Sequence, residues 1–312
     1  MEARRILYAW VAAVLLFALG AIVRPGFASV DSISSVLVVA SFVGLVAAGQ
    51  TFVVLIGGID LSVPWILNAA AILMVTSSLG ENARAALGLV LTLGMGALVG
   101  AANGIGVAVF GVPAVVMTLA MNGIMEGLTL GLSAGMTCPS CASYAPPIIQ
   151  AAVHGHLLGI PLVLFVWLAV AALVSLGLSL TSFGRATYAI GNNARASYLS
   201  AVNVTLTTVA LYMLSGLFSA LAGIMLVGFG GQASLGMGDP YLFQSIAAVV
   251  IGGVYILGGR GHYIGSVAGS ISLVALVSVL MAMNMPEYGR SIIYGVVILV
   301  LLLAYGRQEV ER

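Results

Sequence analysis

The sequence predicts an all-α polytopic membrane protein with about ten transmembrane helices, some of them short or broken. Of its 312 residues, 62% are hydrophobic and only 6% are charged, whereas soluble domains are roughly half apolar and about a quarter charged. Apolar stretches of roughly 20 residues, the length that crosses a bilayer, recur from end to end. We predict spans near 6–23, 34–57, 61–79, 86–108, 113–132, 161–180, 204–229, 243–257, 262–283 and 290–305.

The arginine positions predict that both termini are cytoplasmic. An even number of spans that begins inside leaves most arginines in cytoplasmic segments, in agreement with the positive-inside rule. The inward set is Arg4, Arg5, Arg185, Arg195, Arg260, Arg307 and Arg312, and the outward set is Arg24, Arg84 and Arg290. We interpret residues 1–312 as one membrane domain, with a periplasmic loop near 133–160 and a cytoplasmic loop near 181–203.

Composition also excludes several functions. The net charge is only +1 and the arginines are scattered, which argues against a nucleic-acid footprint. The chain has no lysine, and a P-loop needs one to reach the nucleotide phosphates, so any ATP must be hydrolysed on another chain. The histidines His154, His156 and His262 all fall in predicted loops. We therefore predict no catalytic residue, no resident metal and no cofactor on this chain.

A glycine pair interrupts the second span. Gln50 and Thr51 lie within that span, and they are followed by Gly57-Gly58, Asp60 and Ser62. In hydrocarbon a helix break is tolerated only against protein, a water-filled cavity or the membrane surface. One interpretation is that Asp60 and Ser62 cap the next helix. The other is that the break lines a transport route, where Gln50 and Thr51 hydrogen-bond a polar solute.

A second interrupted helix lies at residues 246–270. The pair Gly252-Gly253 ends a short apolar segment, and Gly258-Gly259 precedes Arg260. The predicted topology puts Arg260 on the cytoplasmic side, so the second pair is interpreted as a tight inner turn that Arg260 anchors. The half-helix with Gly252 and Gly253 is then predicted to line the route.

Three motifs carry a family resemblance. They are Gly49-Gln50-Thr51-Phe52-Val53 with Gly57-Gly58-Ile59-Asp60-Leu61-Ser62, the segment 181–196, and the segment 246–261. In order and spacing, residues 30–306 resemble the ribose-type permeases, the membrane subunits of bacterial ABC sugar importers. The resemblance implies a multi-pass subunit of the bacterial inner membrane that transports a monosaccharide or a similar small polyhydroxylated solute.

The resemblance also implies partners. A second permease copy or a related permease, a periplasmic substrate-binding protein and ATPase subunits that bind ATP and Mg would complete the importer. Loop 181–203 would couple to the ATPase, through Gly184, Arg185, Gly191, Asn192, Asn193 and Arg195. The translocation path would be lined by Gln50, Thr51, Gly57, Gly58, Asp60, Ser62, Asn103, Thr118, Asn122, Gln244, Gly252 and Gly253.

Two departures from the family pattern bear on the partner and the mechanism. Members of the family that the chain resembles commonly carry acidic residues just before the position of residue 246. Here the acid lies further back, at Asp239, and Gln244 lies nearest the half-helix. Glu126 stands where a basic residue is frequent. These departures leave open a heteromeric permease pair. They also leave open a proton-coupled secondary transporter that titrates Asp60 or Glu126.

Cys138 and Cys141 are the two cysteines of the chain and fall in the predicted periplasmic loop. A disulfide is one expectation for that oxidising compartment. A zinc site with His154 and His156 and two free thiols are the others. A membrane enzyme that acts through these thiols is a third functional class, and it predicts that a double Cys→Ser change abolishes activity.

Overall fold

The computed structural model describes residues 2–135, 144–286 and 288–290, together with residues 292, 293, 295, 296 and 299. Its main helices are α1 (Glu2–Val23), α2 (Val30–Leu55), α3 (Val63–Ser78), α4 (Asn82–Ala108), α5 (Ala114–Leu132), α6 (Pro147–His154), α7 (Leu162–Leu180), α8 (Ser182–Asn192), α9 (Ala194–Leu199), α10 (Val204–Gly230), α11 (Tyr241–Ile251) and α12 (Tyr263–Ala282). Strands β1 (His156–Leu157) and β2 (Ile160–Pro161) form an antiparallel hairpin.

The described helices match the predicted membrane spans. Seven of them, α1, α2, α4, α5, α7, α10 and α12, are long and apolar enough to cross a membrane. The shorter apolar helices α3 and α11 fall on the third and eighth predicted spans. The all-α membrane class is therefore confirmed. The tenth span, 290–305, lies largely outside the described residues, so the count of ten and the cytoplasmic termini stay predictions.

Polar residues cap several helices where the sequence leaves the apolar segments. Ser29 Oγ accepts the Ser32 N–H at the start of α2, and Asn203 Oδ1 accepts the Leu206 N–H at the start of α10. Thr181 and Asn193 do the same for α8 and α9. Each cap satisfies an amide that has no partner inside its own helix. The predicted cytoplasmic loop 181–203 is thus mainly two short, capped helices.

Small residues bring α4 and α10 into close contact. Gly96, Gly100 and Gly104 lie one turn apart on α4, and a Cβ at Gly96 would lie 2.5 Å from the carbonyl oxygen of Gly216. A Cβ at Gly104 would lie 2.6 Å from Val209 Cα. In a membrane, where little hydrophobic force joins helices, such faces allow backbones to approach and pack. Helix α10 also packs against α2, α3 and α6, so it lies at the centre of the described bundle.

Helix α2 is held from the other side by α7 and α12. Trp167 Nε1 donates to Tyr263 Oη at 3.1 Å, and the Tyr263 hydroxyl donates to the carbonyl oxygen of Gly44 at 2.7 Å. A side chain at Gly44 would overlap the Trp167 ring. About two turns further along α2, the hydroxyl groups of Thr51 and Ser266 form a hydrogen bond of 2.8 Å. Helix α2 is therefore enclosed by protein along most of its length.

The outer surface of the bundle is apolar. Helices α1 and α5 bury little of their length, and Leu15, Val116 and Leu119 among others are exposed. Such a surface suits a lipid environment or contact with further chains. In the predicted periplasmic segment, Tyr144 pairs with Gln232 through an isolated bridge. Cys138 and Cys141 lie outside the described residues, so their pairing stays a prediction.

We predict that Gly100→Ala destabilises the protein by about 1–3 kcal/mol, because its methyl group would overlap the Tyr212 carbonyl oxygen on α10. Thermal unfolding of the purified chain in detergent measures the change. Gly94→Ala is the matched control, because a Cβ at Gly94 on the same helix meets nothing within 4 Å. Equal unfolding temperatures for the two variants would contradict close α4–α10 packing.

Candidate functional site

Helix α2 ends in a turn that only glycine fits well. Ile56 and Gly58 both donate their N–H groups to the carbonyl oxygen of Val53, and Gly57 takes φ +78°. This left-handed conformation favours glycine. At Gly58 a Cβ would lie 2.5 Å from the Tyr212 hydroxyl oxygen. The Gly57-Gly58 pair thus ends the helix in a turn, and at Gly58 there is no room for a side chain.

Asp60 follows this turn and cross-links three elements. Its Oδ1 accepts the N–H of Ser62 at 3.0 Å and the Ser62 hydroxyl at 2.5 Å. Its Oδ2 accepts the hydroxyl of Ser215, on α10, at 2.7 Å. The residue is fully buried, at 0% exposure. Asp60 therefore closes a local turn onto Ser62, the N-cap residue of α3, and joins the break to α10. Ser62 itself makes no side-chain cap bond to α3, so the capping interpretation does not describe the observed contacts.

The backbone of the break is satisfied by other helices. With its amide oriented so that both atoms are paired, Gln50 donates to the Asp60 carbonyl oxygen and accepts the Asp60 N–H, each at 3.3 Å. Thr118, on α5, shares its hydroxyl proton between the carbonyl oxygens of Ala114 in its own helix, at 2.9 Å, and of Ile59, at 3.2 Å. These bonds meet the requirement that a helix interrupted inside a membrane must find internal partners.

Asn103 extends the network to α4. Its Nδ2 donates to the Ser62 hydroxyl oxygen at 2.8 Å, while its Oδ1 is buried with no partner among the described atoms. Gln50, Asp60, Ser62, Asn103 and Thr118 therefore lie in one connected cluster, which we call the Asp60 network. All five are buried. In this conformation the network holds helices together inside the subunit rather than facing an open channel.

The remaining predicted path residues lie elsewhere. Thr51 is buried and faces α12. Asn122 and Gln244 are half-buried, on α5 and α11. Gly252 packs against the backbone of Gly265, and Gly253, with φ +83°, lies against Arg5. The half-helix α11 therefore ends in contact with α12 and α1.

The second glycine pair makes contact with both the break and the predicted coupling loop. Gly259 donates its N–H to the carbonyl oxygen of Leu55 at 2.8 Å, at the last residue of α2. Asn192, at the end of α8, donates from Nδ2 to the Gly259 carbonyl oxygen at 3.3 Å. A Cβ at Gly191 would overlap both Leu55 O and Gly259 N. We call this three-way contact the glycine junction.

Two further bonds hold the turn at the glycine junction. Tyr188 donates its hydroxyl to the carbonyl oxygen of Gly261 at 2.8 Å, and Tyr255 donates its N–H to the Arg260 carbonyl oxygen at 2.9 Å. Arg260 is exposed. The tight turn predicted before Arg260 is therefore present, and it is fastened to α8.

The predicted coupling loop carries an exposed face. Arg185, Asn192, Asn193 and Arg195 are exposed, whereas Gly184 is buried and Gly191 is half-buried. Sequence reasoning missed Tyr198 and Leu199, which end α9 and are 71% and 79% exposed. The sequence signal that could have pointed to an exposed contact surface was the pair of adjacent large side chains in a loop rich in small and polar residues.

Several candidate groups lie apart from these clusters. Glu126 is exposed on α5. Asp239 accepts a bond from Asn68 Nδ2 at 3.2 Å, and Asn68 Oδ1 accepts the Gly238 N–H at 2.7 Å. The displaced acid therefore fastens the segment before α11 to α3. Among the described residues, no group of three or more His, Cys, Asp or Glu could hold a metal ion.

A comparison with protein families identifies the chain. Residues 32–302 match the model described as the branched-chain amino acid transport system/permease component. The chain belongs to this permease family. The match runs from the first turn of α2 through α12 and includes the Asp60 network and the glycine junction.

Relatives of this permease include proteins named as sugar import permeases. The chain is 33% identical to the ribose import permease protein of Haemophilus influenzae, over 95% of this chain and 91% of that protein. It is 35% identical to the fructose import permease protein of Rhizobium meliloti, over 82% of this chain and 72% of that protein. It is 31% identical to the autoinducer 2 import system permease protein of Escherichia coli, over 98% and 88%. No solved structure shows a significant match.

We predict that Asp60→Ala destabilises the permease by about 3 kcal/mol, because the Ser62 and Ser215 donors lose their buried acceptor. Thermal unfolding in detergent measures the loss. The control is Asp31→Ala, which removes an exposed acid from the first turn of α2 and should cost only about 0.5 kcal/mol. If the unfolding temperature of Asp60→Ala is no lower than that of Asp31→Ala, the hydrogen bonds of Asp60 contribute nothing to the stability of the permease.

Proposed function

We propose that this permease is the membrane-spanning subunit of an ATP-binding-cassette importer for a monosaccharide or a similar small polyhydroxylated solute. The observation that carries the proposal is the identity of 31–35% with import permeases, two of them named for ribose and fructose, across most of the chain. A periplasmic binding protein delivers the solute, and partner subunits bind ATP and Mg and hydrolyse the nucleotide. The assembly resides in the bacterial inner membrane.

The exposed face of loop 181–203 is the proposed contact with the ATPase. It combines the fixed charges of Arg185 and Arg195 with the exposed apolar side chains of Tyr198 and Leu199. Aromatic and arginine side chains are enriched in protein interfaces. The absence of lysine from the chain supports a division of labour in which nucleotide chemistry takes place on the partner.

The glycine junction is the proposed route by which this contact acts on the membrane helices. Movement of α8 would displace Gly259, which is bonded to Leu55 at the end of α2. The break at Gly57-Gly58 begins two residues later. A hinge at this break lets α2 and α3 rearrange around the solute path without unfolding either helix.

The path is proposed to open next to the Asp60 network. The polar side chains of Gln50, Thr51, Asn103, Thr118, Asn122 and Gln244 would give weak hydrogen bonds to the solute once the helices separate. Recognition of the particular sugar belongs to the binding protein, so the path itself needs little affinity. Two permeases, identical or related, enclose the path between them.

The substrate class is tested with the cognate binding protein. We expect its unfolding temperature to rise with ribose, fructose or a related polyol and not with leucine, isoleucine or valine. A shift with a branched-chain amino acid alone would overturn the sugar assignment.

The energy source is tested by solute uptake in cells. Uptake should stop when the partner ATPase loses its P-loop lysine, and it should persist when an uncoupler is added. The reverse result would favour the proton-coupled alternative.

We predict that the double change Tyr198→Ser and Leu199→Ser lowers ATP-dependent uptake at least tenfold, because it removes the apolar contact proposed for the ATPase. Since both side chains are exposed, the unfolding temperature of the isolated permease should change little. Leu158→Ser, at a side chain 92% exposed in the predicted periplasmic loop, is the matched control. Unchanged uptake in the double variant would place the ATPase contact elsewhere.

A further inference from the structure

Helix α10 presents two hydroxyl groups to the break after α2. Tyr212 and Ser215 are three residues apart and therefore share a helix face. The Ser215 hydroxyl donates to Asp60 Oδ2 at 2.7 Å. The Tyr212 hydroxyl lies beside Gly58, two residues before Asp60. Its oxygen is 2.5 Å from the position that a Cβ of Gly58 would take. Both groups thus face the same short segment.

The Tyr212 hydroxyl has no hydrogen-bond partner among the described atoms, although the side chain is fully buried. The comparison with Tyr263 is informative, since that hydroxyl is equally buried but donates to Gly44 and accepts from Trp167. Buried hydroxyls are nearly always paired, because an unpaired one loses its bonds to water without replacement. The unpaired group at Tyr212 therefore calls for an explanation.

We propose that Tyr212 is a positioning residue of the transport cycle: in a second arrangement of the break its hydroxyl donates to the Asp60 carboxyl group in place of Ser215. The inference rests on the proposed function, because a cycle with two conformations is what gives the second arrangement a role. Gly57 and Gly58 supply the conformational freedom for the shift, and Gly58 leaves no side chain between Tyr212 and the moving segment.

The exchange keeps the Asp60 carboxyl group paired. Asp60 keeps one α10 hydroxyl in each arrangement, and Ser215 has an alternative acceptor in its own helix. Ser219, one turn further on, already bonds in that way to the Ser215 carbonyl oxygen at 2.9 Å. The second arrangement thus pairs the tyrosine without leaving the serine unpaired. The second arrangement gains one hydroxyl bond, which offsets the cost of moving the break, so a small push from the glycine junction can interconvert the two.

The first experiment compares stability in the purified permease in lipid nanodiscs. Tyr212→Phe removes a hydroxyl that has no partner in the present arrangement, so its unfolding temperature should rise by about 2 °C or more. Tyr263→Phe, the matched control, removes a hydroxyl with two partners and should lower that temperature. If Tyr212→Phe is less stable than the wild type, the hydroxyl has a partner in this arrangement and the proposal fails.

The second experiment measures motion of the break without any solute. Hydrogen–deuterium exchange of the peptide covering 56–62 should slow about fivefold in Tyr212→Phe and quicken in Ser215→Ala. The double variant should return towards the wild-type rate, because it removes one bond from each arrangement. Exchange that is unchanged in Tyr212→Phe, or slowed equally in Ser215→Ala, would overturn the proposal.

Uptake of ribose by the permease with its cognate ATPase and binding protein gives the functional readout. Tyr212→Phe should lower the uptake rate about fivefold despite its higher stability, and Ser215→Ala in the same chain should restore part of it. Full uptake in Tyr212→Phe would show that the hydroxyl has no role in the cycle. If the wild type takes up no ribose, ribose is not its solute, while the stability and exchange results still decide the role of Tyr212.

Discussion

The described structure depends on one constraint: a helix broken inside a membrane must have its free backbone groups and its buried acid satisfied by protein. At the end of α2 this is achieved by Gln50 on the Asp60 backbone, by Thr118 on the Ile59 carbonyl, and by Ser62 and Ser215 on the Asp60 carboxyl group. Each donor comes from a different stretch of chain. The break therefore forms only when α2, α3, α5 and α10 are packed together.

That packing depends in turn on small residues. Gly96, Gly100 and Gly104 let α4 approach α10 closely enough for Asn103 to reach Ser62, which is bonded to Asp60. A bulkier face would hold the helices apart and leave the polar groups of the break unpaired. Close packing and polar pairing are thus two parts of one arrangement, in which the glycines set the distance and the polar side chains set the register.

The same break lies next to the part of the chain that faces the proposed ATPase contact. Gly259 bonds to Leu55, and Asn192 of α8 bonds to Gly259. The proposed hinge at Gly57-Gly58 lies between the Asp60 network and the glycine junction. The hydrogen bonds within the polar cluster explain how the permease holds an acid and amide groups in its interior.

The sequence by itself determined the membrane class, since its hydropathy leaves no other environment for the helices. It also determined the family through three ordered motifs, and it singled out Gln50, Asp60, Ser62 and Asn103. It did not reveal Ser215 or Tyr212, because α10 carries several hydroxyl residues and its sequence does not show which of them face the break. Only the tertiary structure decided that Ser215, 155 residues from Asp60, completes the carboxyl group's bonds, since helix register follows from packing between distant segments.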